Sequence, residues 1–441
     1  MKFQEMVQEG KFEKAEKYLA DDKKAAEGKN RLLYLMNQGY LNWMLKDHEE
    51  SNHYLNQADI MIEDQIKKPG LEALALMTNP MIKPYEAEDF EKVMVNFYKS
   101  LNYIQLQDYE SASIESRRIN LKLNKLNDKY PDHKNRYQND AFAHVIMGLI
   151  YDARSDFNNA FIAYRNALEV YESDYASYFG INAPLQLKKD LLRTAYLTGF
   201  QDEVRHYEKK FNMDYNHQKS NHPELVFFWL NGFGPVKSEW SINFTKVPGN
   251  EGFVMLVNEE LGLSFPVYVG NKSQKEKSAF SQLRFVRVAF PKYVERKPVF
   301  TGADIKVDGK KYQLEIAEDI NEIAFKTLHD RMVREMANSI ARLATKKALE
   351  LLANQEDQNL GAVIGIANAL TEKADTRNWQ TLPYSISYAR VPLQEGENTV
   401  KLDQNAPGGM KKSEDFTFTA QPGKTYFHYY HSLETHPVQI P

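Results

Sequence analysis

Three histidines near the C-terminus, His428, His431 and His436, are the residues whose type most readily suggests a metal or a moving proton. A site needs several such groups converging on one point. In a strand, the odd separation of His428 and His431 sends them to opposite faces, which argues against it. His217 and His222 lie in a polar stretch, NHQKSNHPE, and fare no better. The adjacent acids Glu259-Glu260 fall in a turn-like segment and read as solvated. Asp304 and Asp308 lack the intermediate ligands of a calcium loop. Gly270-Asn271-Lys272-Ser273 holds a Lys-Ser pair without the glycine spacing of a phosphate loop. No G-x-S-x-G, G-x-G-x-x-G or H-E-x-x-H motif occurs. The chain has no cysteine, which removes disulfides, thiolate metal sites and a thiol nucleophile together. The sequence therefore predicts no catalytic residue, no metal and no cofactor.

What must be positioned, then, is a binding surface. The chain has 441 residues, long enough for two or three domains. Apolar content of 42% and charged content of 26% are those of a soluble globular protein. A net charge of −4 argues against bulk binding to nucleic acid or an acidic membrane. The longest apolar run, Leu360 to Leu370, is well short of the ~20 residues a membrane span needs. The opening, MKFQEMVQEGKFEKAEKYLA, starts almost inside a helical hairpin and shows no signal peptide, as a processed or trimmed start would.

Internal repeats are the firmest pattern. A small residue recurs where paired helices cross, followed by a small residue 12 positions on, a large apolar one 16 on and Ala 19 on. Gly148, Ala160, Tyr164 and Ala167 fit, as do Gly39, Ser51, Leu55 and Ala58; Ser100, Ala112, Ser116 and Ile119 form a third unit. GKFEKAEKYL resembles a truncated first unit and TGFQDEVRHYEKKF a degenerate last one. Long insertions at 67–85, with Pro69, Pro80 and Pro84, and at 127–140, with Pro131, interrupt the array, and 172–186 reads as an aromatic-rich loop.

These units resemble tetratricopeptide repeats. The resemblance implies that first-helix positions line a concave surface, here Leu33, Met36, Tyr40, Trp43 and Met44, then Met94, Phe97, Leu101 and Ile104. The lining is apolar, so either a partner segment fills it or the chain covers it with its own residues.

From about residue 217 the texture becomes short strands between Gly and Pro, with Asp308-Gly309 marking a type I′ hairpin. Ile316 to Pro383 then begins with a charged amphipathic helix. Ile320, Ala324, Leu328, Met332, Met336 and Ile340 share its apolar face, while Arg331, Arg334, Arg342, Lys346 and Lys347 lie elsewhere. A small-residue segment with Gly361 and Gly365 follows, then TEKADTRNWQTLP, whose Asp375, Arg377 and Trp379 form either a binding edge or a lock between helix and sheet.

The order of amphipathic helix, small-residue helix, ADTRNWQTLP and a strand ending ARVPL resembles a little-characterised family of bacterial tetratricopeptide-repeat-containing proteins, many of them assigned as lipoproteins. It covers most of the chain and is most specific over 360–402. It implies a cell-envelope location, periplasmic or anchored to the outer membrane through an N-terminal lipid that this chain does not carry. It brings no enzymatic activity.

The expected fold is α+β and multidomain: a tetratricopeptide-like helical repeat array at 1–216, then a mostly antiparallel β domain at 217–441. That domain should contain a long helix (about 318–353) and a short buried one (about 359–370). The expected function is a non-enzymatic scaffold for a protein or peptide partner. The alternatives are a receptor or enzyme with a pocket between array and β domain, and a purely structural envelope protein.

Overall fold

Five helix pairs open the computed structural model, which describes residues 2–67, 81, 83–128, 136–217, 221–250, 252–260, 262–271, 274, 285–332, 336, 340 and 374–438. α1 (Lys2–Gln8) pairs with α2 (Phe12–Ala20), and the short α3 (Lys23–Glu27) follows. α4 (Arg31–Met44) pairs with α5 (His48–Lys67), α6 (Asp89–Gln105) with α7 (Tyr109–Asn127) and α8 (Ala141–Ala153) with α9 (Phe157–Val170). The last pair is α10 (Leu185–Leu197) and α11 (Gln201–Phe211).

The same turn closes every pair. Gly10, Lys46, Gln107, Ser155 and Gly199 adopt left-handed backbone, with φ from +59° to +81°. The next N–H then reaches back five residues: Asp47 to Asn42 O, Asp108 to Tyr103 O and Asp156 to Tyr151 O, each at 2.9 Å. This closure satisfies the last free carbonyls of the first helix. Asp47, Asp108 and Asp156 then cap the second helix by accepting the backbone N–H groups of Glu50, Ser111 and Asn159.

The small residues of the repeat pattern are the helix crossings. A Cβ on Gly39 would lie 2.4 Å from Leu55 Cδ2, and one on Gly148 2.3 Å from the Tyr164 ring. In the third unit Ser100 Oγ donates to Ala112 O at 3.0 Å and meets Ser116 Oγ at 2.7 Å.

After α9 the helix does not stop where a loop was expected. Tyr171–Phe179 continues as a π-helical turn with a break at Ser173, and Gly180 at φ +75° ends it. Tyr171, Tyr175 and Phe179, four apart, are all buried, so a helical face rather than a loop satisfies them.

Eleven strands follow among the described residues: β1 (Glu224–Asn231), β2 (Val236–Pro248), β3 (Phe253–Asn258), β4 (Leu263–Tyr268), β5 (Phe285–Val294), β6 (Gly302–Val307), β7 (Lys310–Asp319), β8 (Ser385–Pro392), β9 (Gly396–Asn405), β10 (Lys411–Ala420) and β11 (Thr425–Ser432). The larger sheet has the order β10-β9-β6-β7-β8-β1-β11, and the smaller one β4-β3-β2-β5. β1 and β11 run parallel, whereas the other pairings are antiparallel. Asp308 and Gly309 take φ of +49° and +72°, the backbone of the expected β6–β7 hairpin turn.

The larger sheet is curled. β10 and β11 stand at its opposite edges, yet only 421–424 join them. Their side chains meet, with the Phe416 ring 4.6 Å from the His428 ring, and Lys412 Nζ lies 2.8 Å from Glu434 Oε1 just beyond β11. Inside the curl, Leu225, Phe227, Trp229, Ile305, Val391 and Leu402 form one core. On the outer face, Val226, Phe228, Leu230, Ile386 and Tyr388 join the core of the helices. Composition changes near residue 217, but the hydrophobic core runs across that point.

A twelfth helix, α12, spans 320–332. Ile320, Ile323, Ala324 and Leu328 pack into the helical core, whereas Met332, Met336 and Ile340 join Ile242, Phe244 and Val288 of the smaller sheet. The apolar face read from the sequence thus connects two cores. Residues 341–373 lie outside the described residues. With them go Arg342, Lys346, Lys347, the helix expected at about 359–370 and its Gly361 and Gly365; Arg334 and most of the two insertions do so too. No described helix is long and apolar enough to cross a membrane.

Candidate functional site

The concave lining is where the repeat register puts it, but the chain's own sheet fills it. Tyr429 of β11 stacks on Trp43, ring centroids 4.1 Å apart and 18° from parallel, and its hydroxyl donates to Trp43 O at 3.0 Å. Tyr40 lies against His431, Phe142 of α8 lies 6.1 Å from Phe228, and Gln105 Nε2 donates to Phe427 O at 3.2 Å. Met36, Tyr40, Trp43, Met94, Phe97, Leu101 and Ile104 are buried, while Leu33 and Met44 are half-buried. Of the two alternatives for the groove, cover by the chain's own residues is the one this arrangement holds. Covering that apolar surface with the sheet's outer face removes it from water, a stronger driving force than leaving it open.

The histidines occupy opposite faces of β11. His431 Nε2 lies 2.7 Å from Gly232 O, so it carries the proton, and Nδ1 accepts from Tyr40 Oη at 3.0 Å. His428 faces the curl among Phe227, Phe416 and Phe418. Burial pushes both imidazoles down to about 4. His436 pairs through its backbone with Lys297. Among the described residues no group of His, Asp and Glu side chains is placed to share a metal ion.

Asp375, Arg377 and Trp379 join the segment before β8 to the helices. Arg377 grips Asp375 through Nε and Nη2 at 2.9 and 2.6 Å, and its Nη1 reaches Asn30 Oδ1 and Lys83 O at 3.0 and 3.1 Å. Trp379 N–H donates to Glu91 Oε1 at 2.6 Å, and its ring lies 5.6 Å from Tyr98. All these contacts are internal, the geometry of a lock. Two further clusters act alike. Glu88, which caps α6, pairs with Lys237 of β2 and Arg331 of α12. Arg390 of β8 pairs with Asp152, Asp190 and Glu224 at 2.7 to 2.9 Å.

A surface the sequence did not indicate lies on the other side of the array. A cavity of about 560 Å³ opens between α5 and α7, with Ile60 and Leu121 at its rim. Its floor is charged. Lys122 Nζ donates to Asp59 Oδ1 and Asn96 Oδ1, both at 2.6 Å, and Lys99 bridges Asp59 and Glu115 at 3.1 and 2.9 Å. Arg118 adds a contact to Asp59 at 3.0 Å. Burial alone would raise the Asp59 carboxyl, but Lys122, Lys99 and Arg118 override it and hold it at about 2. Burial also pulls the Lys122 ammonium down, so the lysine's desolvation offsets part of what Asp59 gains. Asp59 and Lys122 are 63 residues apart, so the spacing along either helix does not name the other as its partner.

With this geometry the chain is an α+β protein built on tetratricopeptide-like helix pairs, and the comparisons with known proteins are distant. No family model matches the chain, and no curated protein matches it. Its structural neighbours include the apo form of RapI, at 15% identity and TM-score 0.34 over 47% of this chain and 50% of that one. The chain thus spans half the length of that neighbour. BtubC from P. vanneervenii shares 13% identity at TM-score 0.31, over 48% of this chain and 80% of that one. A tetratricopeptide repeat protein from Parabacteroides merdae shares 15% identity at TM-score 0.20, over 49% and 78%. The repeat assignment rests on the recurring turn and the helix crossings described above.

Proposed function

We propose that this chain is an interaction scaffold that acts by binding rather than by catalysis, and that its partner surface is the row of second helices instead of the concave groove. One observation carries this reading. Ile60 and Leu121, exposed by 64% and 54%, flank the cavity between α5 and α7, above the buried charges of Asp59, Lys99 and Lys122. Apolar anchors around a preformed, charged depression are the features a protein or peptide partner uses to gain both affinity and register. Ile114 on α7 and Ile162 on α9 are also exposed, which extends the apolar row along the same set of helices. The cell-envelope setting belongs to this proposal as well, supported by the resemblance of ADTRNWQTLP and the strand ending ARVPL.

A photo-reactive residue placed at position 60 or 121, and at the exposed Tyr268 of the smaller sheet as control, tests the surface in the native cell. The expected result is the same adduct from 60 and 121, absent from 268 and lost when the other rim residue is changed to Lys. Equal labelling at all three positions, or none at the rim, overturns it.

A further inference from the structure

The binding surface leaves unused a buried acid pair where three local irregularities meet. The first is in β7. Ile316 faces Ser387 and Glu318 faces Ile386, so Ala317 is an extra residue in the ladder. Such a bulge turns consecutive side chains to one side. Ala317 and Glu318 both face the helices and are buried, while Ile316 is left 46% exposed. An isoleucine outside and a glutamate inside reverse the usual ordering, and the bulge is the cause.

The second irregularity is the π-helical turn Tyr171–Phe179, which seats on that bulge. Tyr171 Oη donates to Ala317 O at 2.6 Å, and Tyr175 Oη lies 3.4 Å from Glu318 Oε1. The third is an unpaired oxygen: Glu318 Oε2 is buried without a hydrogen-bond partner. Asp140, at the N-terminus of α8, is the second acid. Its Oδ1 accepts Ala143 N–H and its Oδ2 accepts Tyr137 Oη, both at 2.7 Å.

The ionisable groups around Glu318 are acids and phenols. Asp140 and Tyr137 come from the segment leading into α8, Tyr171 and Tyr175 from the π turn, and Asp319 from the end of β7 itself. Among the described residues no cation contacts either carboxyl. Arg136 and Lys326 lie instead over the Tyr178 ring, at 4.2 and 5.2 Å, and the Tyr178 hydroxyl bonds Asp330. A carboxylate buried without a counter-ion is strongly disfavoured, so neutrality is the stable state of Glu318, whose Oε2 has no donor, whereas Asp140 has two. In keeping with this, burial and then the Asp140 charge push the Glu318 carboxyl well above the usual range. Burial also raises Asp140.

We propose that Glu318 and Asp140 form a proton-gated latch between the helical repeats and the curled sheet. Uncharged, Glu318 lets the Tyr171–Phe179 turn seat on the β7 bulge. Once it gives up its proton, the carboxylate must reach water and the turn lifts from the strand.

Amide hydrogen exchange, corrected for intrinsic rates and followed from about pH 6 to about pH 9, reads the latch directly. In the native chain, protection of 171–179 should fall at least tenfold across that range while protection of α4 and α5 holds. In Glu318→Gln the protection should stay level. Asp140→Asn keeps a capping oxygen and removes the neighbouring charge, and it should move the fall to lower pH. A level native profile overturns the proposal, as does a fall of equal size and midpoint in both variants.

Discussion

The indole of Trp43 and the phenol of Tyr429 stack at 4.1 Å although 386 residues separate them. That contact joins the floor of the repeat groove to the edge strand of the curled sheet. Trp43→Ala should therefore cost stability, about 3–5 kcal/mol by analogy with other large-to-small core changes. Tyr429→Ala should cost roughly 2–4 kcal/mol, since it loses ring burial and one hydrogen bond. The double variant should show a coupling of about 0.5–1.5 kcal/mol in urea unfolding, the range for stacked aromatic pairs. A Trp43→Ala protein as stable as the native chain would mean that the groove stands open in solution.

Much of this architecture is legible in the sequence, for a local reason. The crossings at Gly39/Leu55, Ser100/Ser116 and Gly148/Tyr164 each depend on one close approach within a hairpin, which fixes residue size at a constant spacing. The Asp308-Gly309 turn and the apolar face of α12 are local in the same sense. What fills the groove is not local. Periodicity says that Trp43 is covered, but nothing near it in the chain names Tyr429. Glu318 was equally hidden, because a strand's alternation does not announce where an extra residue enters the ladder. The buried Lys99 and Lys122 read as ordinary surface charges until Asp59 is brought beside them from another repeat.

His431 makes stability depend on acid. Its pKa is pushed down to about 4 by burial, below the unfolded value of about 6.5. Between these values the unfolded chain binds a proton that the folded chain does not, so stability falls as pH drops from about 6.5 to about 4. The loss amounts to roughly 3 kcal/mol, the free-energy equivalent of the gap between the two pKa values; protonating Nδ1 also takes the acceptor from Tyr40. Glu318 works in the opposite sense. Its raised pKa favours folding below the unfolded value near 4.5 and loses that advantage as pH rises through the folded value. Unfolding free energies across this range should show His431→Gln with a shallower acid limb than the native chain and an unchanged limb above neutrality. An unaltered acid limb would assign the proton uptake elsewhere.

The repeat crossings make a graded prediction. At Gly148 an added Cβ would meet the Tyr164 ring at 2.3 Å, and that tyrosine is held by its hydroxyl's bond to Asp152 Oδ2 at 3.2 Å. The ring has little room to move, because Arg390 Nη2 also approaches the hydroxyl at 3.3 Å. At Gly39 the obstacle is Leu55, at 2.4 Å, an aliphatic side chain with other rotamers. Gly199 sits in open space, and only its φ of +81° opposes a side chain. Gly148→Ala should then be the most costly, about 3 kcal/mol with overpacking at the upper end of its usual range, and Gly39→Ala should cost roughly 1–2 kcal/mol. Gly199→Ala should cost about 1 kcal/mol, the penalty of left-handed backbone alone. Thermal unfolding of the three single variants checks the order. Equal losses at all three would mean that the helix pairs cross at larger distances than the glycines imply.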